Sequence, residues 1–326
     1  MADTIRIGFV GAGFIAGVHA AILARDPRVQ VHAVIDPDLE HVTAFALKTG
    51  AHVVPTLDDL IGDVDALYIC NPNALHADVA VRALGAGIHV FSEKPMATSL
   101  DAASGVLDAS QSAKGVYQAG FNRRFASVYR ELKHRIVAGD LAPTSALLKM
   151  NRGELQNPAW TGDAVISGGF LYETPIHMLD LARHLFGDPT DVIVRARSST
   201  YDQLDDFAIL LTFPGPMYAT LTASAHTTWL FPFERVEVYG DHAIAATEEM
   251  ERITFVTGVG QPGVTVEFSQ QSLDERWGYI EEDGRFVDAI VGVDEPAVSA
   301  AEAYATTELV DLCYRLAREH DAAATP

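Results

Sequence analysis

Three groups of residues in this chain have the types and spacing to do chemistry. The first is Glu93-Lys94-Pro95, which closes an apolar run. A lysine delivered by an apolar strand is unusual, because burial disfavours the ammonium form. The same burial lets a lysine exchange protons near neutral pH, so Lys94 is a candidate general acid or base. The alternative is an exposed lysine paired with Glu93. The second group is Glu173, His177 and Asp180, spaced i, i+4 and i+7. In a helix they share one face. A metal site, a solvated polar stripe and a proton-handling group all fit that spacing; in the last, His177 is the acid or base and a carboxylate orients it. No strong ligand motif such as His-Glu-x-x-His accompanies the three, so no metal is expected. The third group is Arg123-Arg124, behind Gly120-Phe121-Asn122. One of these arginines can bind substrate oxygens, while a surface pairing with an excess carboxylate accounts for the other.

A glycine-rich turn near the start of the chain gives these groups a context. Gly11-Ala12-Gly13-Phe14-Ile15-Ala16 follows the apolar run Ile5–Val10 and opens a helix-like stretch at 15–24. A second apolar run, Val29–Ile35, ends in Asp36, twenty residues beyond Ala16. This is the dinucleotide fingerprint with its flanking elements. Gly11 permits the tight turn, and Gly13 lets backbone approach a pyrophosphate. Phe14 and Ile15 begin the helix whose N–H groups face that anion. Ala16 is small enough for close packing of helix on strand. Asp36 can accept hydrogen bonds from both hydroxyls of the adenosine ribose and repels a 2′-phosphate. Asp38 adds negative charge and no arginine follows at once, so NAD is expected and NADP is the less favoured cofactor. A later strand ends in Cys70-Asn71-Pro72-Asn73, with His76 close behind. Ligands of open α/β sheets bind at the C-terminal ends of strands, which makes Asn71, Asn73 and His76 cofactor candidates. A helix-capping Asn73 and a plain helix-face His76 are the simpler readings.

The elements that must position these residues follow two patterns. Residues 1–121 alternate apolar runs with helical stretches: strands are predicted at 5–10, 29–35, 52–54, 66–69, 88–91 and 115–119, with helices at 74–84 and 99–113 among those between them. That alternation implies βαβ units and a parallel sheet. Residues 122–326 differ. A helix at 127–138 leads to a strand at 145–152 and a loop containing Trp160. A long helical pattern at 170–185 ends at Gly187 and Pro189. Strand-like runs follow at 192–198, 207–213, 217–225, 235–239 and 253–256, separated by short turns, which favours a mostly antiparallel sheet. A last helix is predicted at 300–318. The length of 326 residues suits two such domains. A formal net charge of −21 argues against nucleic acid or an anionic membrane as a partner. No apolar run reaches the length of a membrane span, no basic-then-apolar leader precedes the first strand, and the two cysteines are far apart in sequence, so the cytoplasm is the expected location.

In this order, the motifs resemble the glucose–fructose oxidoreductase/inositol dehydrogenase/rhizopine catabolism (Gfo/Idh/MocA) family. The match runs almost end to end, through the glycine turn, Asp36-Pro37-Asp38, the segment from Asn71 to His76, the run from Ala86 to Val90 and Glu93-Lys94-Pro95. It continues through the segment from Gly120 to Phe125, Ser167-Gly168-Gly169, the stretch from Ile176 to Asp180, and the helix holding Glu302-Ala303. The resemblance implies an N-terminal Rossmann domain with a doubly wound parallel sheet. It implies a C-terminal α/β domain with a large, mostly antiparallel open sheet. It further implies a nicotinamide cofactor, a sugar or cyclitol in the cleft between domains, and a homodimer or homotetramer formed through the open sheet face. Lys94 and His177 would handle the proton of the reacting hydroxyl. Asn71, Asn73, Glu93 and Asn122 would join the cofactor residues, and Arg124, Trp160 and Glu173 would join Lys94 and His177 at the substrate.

Two departures bear on the site. Glu173 stands where many polyol dehydrogenases of the family carry Asp, and Pro175 stands where many members have Gly. Proline is tolerated only in a helix's first turn, so the regular helix is expected to begin near residue 174, which weakens the shared-face argument for Glu173. The expected activity is hydride transfer between NAD(H) and a secondary alcohol or ketone of a small neutral polyol or sugar. A non-catalytic dinucleotide sensor that binds a regulatory partner is the alternative; retention of Lys94, His177 and Asp180 together speaks against it. A reductase of non-sugar substrates such as dihydrodiols calls for an apolar cleft and is disfavoured by the polar residues Asn151, Arg152, Asn157 and Asp163 near Trp160.

Overall fold

The structure is a computed structural model of the chain and describes residues 4–228 and 233–324. The first part of the chain alternates as its apolar runs require: β1 (Ile5–Val10), α1 (Phe14–Leu23), β2 (Val29–Ile35), α2 (Leu39–Thr49), β3 (His52–Val53), α3 (Leu57–Ile61), β4 (Ala66–Ile69), α4 (His76–Gly85), β5 (His89–Glu93), α5 (Leu100–Ser112) and β6 (Tyr117–Gly120). The six strands are parallel, in the order β3-β2-β1-β4-β5-β6. β4 is buried throughout and β1 nearly so, as expected of central strands that read as unbroken apolar runs. Strand order reverses between β1 and β4. At such a reversal the two crossover connections leave in opposite directions and open a crevice outside the strands' C-terminal ends.

The second part is built on an eight-stranded sheet. Its elements are α6 (Ser127–Ala138), β7 (Ser145–Met150), α7 (Ala164–Ser167), α8 (Phe170–Glu173), α9 (Ile176–Phe186), β8 (Asp191–Arg197), β9 (Asp206–Thr212), β10 (Tyr218–Ser224), β11 (Glu234–Gly240), β12 (Ala243–Glu248), β13 (Arg252–Val256) and β14 (Val264–Glu267), then α10 (Leu273–Arg276), α11 (Tyr279–Ile290) and α12 (Ala300–Ala324). The strand order is β14-β13-β12-β11-β7-β10-β9-β8, and only the β7–β10 pair is parallel. Side chains alternate across a strand. One row of the register, Val194, Ile209, Leu221, Leu148 and Val236, is fully buried. The neighbouring row on the opposite face, Ile193, Leu210, Thr220, Leu147 and Glu237, is exposed or half-exposed. The sequence reading does not include β12, β14 or α11.

The chain forms two compact units, one of residues 1–121 and 279–307, the other of 122–278 and 308–326. Residues 279–307, placed with the second domain from sequence, thus pack in the first. Phe286 and Val287 of α11 join the core of Phe9, Tyr68 and Phe91, where the Tyr68 and Phe91 rings stack with centroids 4.5 Å apart. Gln118 of β6 donates through Nε2 to the Glu282 carbonyl at 3.0 Å and accepts from the Ala297 N–H at 3.0 Å. The Ala119 N–H donates to the Val298 carbonyl at 3.0 Å. Ladder-like bonds and apolar burial together hold this late segment to the early sheet.

Candidate active site

Within the first unit, the candidate cofactor residues share the C-terminal edge of the parallel sheet. Gly11 has φ +97°, and a Cβ there would meet the Cys70 carbonyl oxygen at 2.7 Å, so no other residue fits this turn without strain. Space above Gly13 is open for 4 Å around an added Cβ. Gly13 is also the N-cap of α1, and no side chain caps it. The first N–H groups of α1 therefore keep their capacity for an anion. Phe14 is exposed at that helix start, Ile15 is half-buried, and Ala16 is fully buried against the sheet. Asp36 directly follows β2: Oδ2 accepts from the Ala12 N–H at 2.7 Å and Oδ1 from the Asp38 N–H at 2.8 Å. Each carboxylate oxygen has a second acceptor site to offer a ribose hydroxyl. Asn71 Oδ1 is buried with no hydrogen-bond partner among the described residues, and Asn73 is buried in the short turn after β4. An uncapped helix start, an open cradle over glycine, an anchored carboxylate and an orphaned amide oxygen fit a dinucleotide.

His76, expected among the cofactor residues, lies at the start of α4. It is 1% exposed, and its ring nitrogens lie 2.7 Å from the Pro95 and Asn71 carbonyl oxygens. It braces the turn after β4 against the segment after Lys94. Burial pulls its pKa below the ordinary value and the two carbonyls act in the opposite sense.

Glu93 ends β5 and Lys94 follows it. The Lys94 N–H donates to Glu93 Oε2 at 3.1 Å, and the Lys94 side chain is half-buried. Glu93 Oε1 lies 3.2 Å from His19 Nε2, and His19 Nδ1 lies 2.8 Å from Asp283 Oδ1. The Tyr68 hydroxyl donates to the same Asp283 oxygen at 3.2 Å. Burial works against an ionised Glu93, but the hydrogen bond and charge of His19 hold its pKa below the ordinary carboxylate value. Burial likewise opposes a charged His19, yet the charges and hydrogen bonds of Asp283 and Glu93 prevail and raise its pKa to about 10. An imidazolium clamped between two carboxylates thus underlies the strand end that presents Lys94. Sequence reasoning missed this group. His19 lies one helical step beyond the glycine turn, but its partner Asp283 is 264 residues away.

In the second unit, His177 sits buried in the first turn of α9. The continuous helix expected at 170–185 is broken. Pro175 has no N–H and its ring crowds the preceding turn, so α8 stops at Glu173 and α9 starts at Ile176. Glu173 therefore lies off the helix that carries His177 and Asp180, and the three do not form one helical stripe. Glu173 Oε2 accepts from Arg152 Nη1 and from the Thr174 hydroxyl. Arg152 also donates to the Glu154 and Asn157 carbonyls at 2.7 and 3.1 Å. Glu173, expected at the substrate, has this oxygen engaged in anchoring a loop. Arg124 was expected to grip substrate oxygens. Its Nε and Nη2 instead donate to the two oxygens of Asp180 at 2.7 and 2.8 Å, both residues buried. Asn122 was expected at the cofactor. Its Nδ2 donates to the Trp277 carbonyl at 3.0 Å and its Oδ1 accepts from Arg123 Nη1 at 3.2 Å. Arg123 in turn pairs with buried Glu234. Arg124 is met by Asp180, and Arg123 by Glu234 and Asn122, because a buried charge without a partner is costly. Trp160 is half-buried in the turn Ala159–Gly162, which packs against α8.

Comparison with known proteins adds to this geometry. Residues 5–121 match the family described as "Oxidoreductase family, NAD-binding Rossmann fold", and residues 129–246 match the "GFO/IDH/MocA C-terminal domain". The chain is 30% identical over 265 residues to an uncharacterized oxidoreductase, YrbE, of Bacillus subtilis, covering 78% of this chain and 76% of that protein. It is 26% identical over 328 residues to the inositol 2-dehydrogenase of Rhizobium meliloti, covering 97% and 98%. A solved structure of a levoglucosan dehydrogenase in complex with NADH and levoglucosan superposes with a TM-score of 0.90 at 19% identity, covering 97% and 98% of the two chains, and shares the fold.

Proposed function

This chain belongs to the GFO/IDH/MocA oxidoreductase family and carries an NAD-binding Rossmann domain, and from that premise we propose that it interconverts a secondary alcohol and a ketone of a sugar or cyclitol with NAD(H). The observation that carries the reading is Lys94. It stands on the same strand-end edge as the glycine turn and Asp36, with its backbone N–H fixed by Glu93. When bound, the nicotinamide supplies the hydride chemistry. The chain supplies binding and proton handling. Gly11 to Ala16 and Asp36 hold the dinucleotide, and Asn71 and Asn73 line its reactive end. Lys94 Nζ takes the proton of the reacting hydroxyl in one direction and returns it in the other. His177 assists, oriented on α9, where Asp180 is locked by Arg124. Asp36 favours NAD over NADP, because its charge opposes a 2′-phosphate. Trp160 contacts the substrate. The relative named inositol 2-dehydrogenase supports a polyol as substrate. The protein acts in the cytoplasm as a homodimer or homotetramer.

A panel of sugars and cyclitols, followed by reduced-nicotinamide absorbance with NAD and with NADP, tests the reading. Turnover is expected with NAD in preference. NADH binding without turnover on any member of a broad panel would favour a dinucleotide sensor instead. Lys94→Ala should bind NADH like the parent and lose kcat by about a hundredfold or more; retention of more than about a tenth would remove Lys94 from the proton step.

A further inference from the structure

We propose that the Rossmann unit binds one divalent transition-metal ion of the zinc type on the flank of its sheet, through His32 Nε2, His52 Nε2 and Asp63 Oδ2. The three side chains come from three places: His32 from β2, His52 from the first residue of β3, and Asp63 from the turn between α3 and β4. Both imidazole Nε2 atoms already converge on one carboxylate oxygen, Asp63 Oδ2, at 3.1 and 2.9 Å. All three candidate ligand atoms lie within 4.8 Å of one another. Tetrahedral bonds of about 2.0–2.2 Å place neighbouring ligand atoms about 3.3 Å apart, so a small outward shift seats an ion. The rings meet nearly at right angles, 88°, with centroids 4.8 Å apart.

The backbone provides a second observation. Ile7 pairs with Val31 and Gly8 with Ala33, so His32 is the extra residue of a bulge in β2. A bulge re-aims a side chain, and it is often found where a site needs one. Here it sets His32 beside His52, which pairs next to it opposite Ala33. Two imidazoles and one carboxylate form a donor set for zinc, nickel or copper rather than for calcium or magnesium. Side-chain exposures of 22% for His32, 50% for His52 and 39% for Asp63 leave a side open for water to complete the coordination. Among the described residues, Arg6 is the arginine or lysine that approaches Asp63. Its Nη1 lies 3.6 Å from Oδ1, the oxygen turned away from the imidazoles. Its Nε and Nη2 are anchored on Asp65 at 3.2 and 2.9 Å. The ion would clip β3, an edge strand of two residues, to β2 and to the approach to β4. It would stabilise the unit and take no part in hydride transfer.

The test uses the full chain, stripped of metal with a chelator and then dialysed. Calorimetric titration with Zn2+ should show one ion per chain. Co2+ should give the visible bands of a low-coordinate site, and Zn2+ should raise the melting temperature of the parent, since a ligand that binds only the folded state stabilises it. His52→Ala and Asp63→Asn should each weaken Zn2+ by more than about tenfold, as loss of a ligand must when loss of an outer-shell partner already costs about that much. His41→Ala, which removes an exposed imidazole outside the cluster, should leave affinity unchanged. Absence of saturable binding, or equal affinity in His52→Ala, Asp63→Asn and the parent, would overturn the proposal. Neither result depends on which substrate the enzyme turns over.

Discussion

His19 holds a charge where no water reaches it. Its ordinary pKa of 6.5 is raised to about 10 in the folded protein, burial opposing and Asp283 and Glu93 prevailing. A raised pKa means the folded state binds the proton more tightly than the unfolded chain does. The stabilisation is therefore complete below about pH 6.5 and is lost as pH climbs toward about 10. Thermal melts of the parent at pH 7 and pH 9.5 should show a fall that is smaller in His19→Gln; equal falls would mean that His19 is neutral in the folded state. Because His19→Gln also leaves Asp283 without its cation, it should be less stable than the parent at pH 7 by about 3 kcal/mol. At Asp36, removal of the carboxylate releases the Ala12 N–H and the proposed ribose contact. Asp36→Ala should weaken NADH by about tenfold, about 1.4 kcal/mol, while NADPH gains relative to NADH in fluorescence titrations. An unchanged NADH affinity would place the ribose elsewhere.

Helix α9 owes its start to Pro175 and its fixed orientation to a charge pair. Proline ends the preceding turn and is well suited to the first position of a new helix, since it has no N–H to satisfy. Asp180, one turn along from His177, is wholly buried and grips Arg124 by two parallel bonds. Removing one partner strands the other charge in a dry interior. Arg124→Ala should lower unfolding free energy by about 3–5 kcal/mol, read from denaturant midpoints. A loss of less than about 1 kcal/mol, the scale of a solvated surface pair, would show the pair to be solvated. The break between α8 and α9 was partly legible, because a proline inside a helical pattern marks a boundary. That Glu173 turns to Arg152 was not, because periodicity locates a residue on its own helix and says nothing about which loop supplies a counter-charge.

The eight-stranded sheet buries one row of its register and leaves the neighbouring row, among the described residues, exposed or half-exposed. Ile193, Tyr218 and Leu147 are exposed on that outer face. Apolar side chains set among polar ones such as Thr220 and Glu237, on a regular sheet face, suit a second copy of the same surface. Light scattering after gel filtration should give the mass of two or four chains, and Leu147→Glu at the centre of the face should halve it or reduce it to one; a parent of single-chain mass would end the proposed oligomer. At this scale the division of labour between sequence and fold is clear. The sequence by itself determined the Rossmann unit's chemistry-bearing edge. Gly11, Asp36, Asn71 and Lys94 each lie at or shortly beyond the end of an apolar run, and a parallel sheet carries every strand end to one side. Only the tertiary structure decided which charges meet: His19 with Asp283, Arg124 with Asp180, Arg123 with Glu234, Arg152 with Glu173. Local pattern reports whether a side chain faces inward, but the partner that makes its burial tolerable comes from packing between segments tens to hundreds of residues apart.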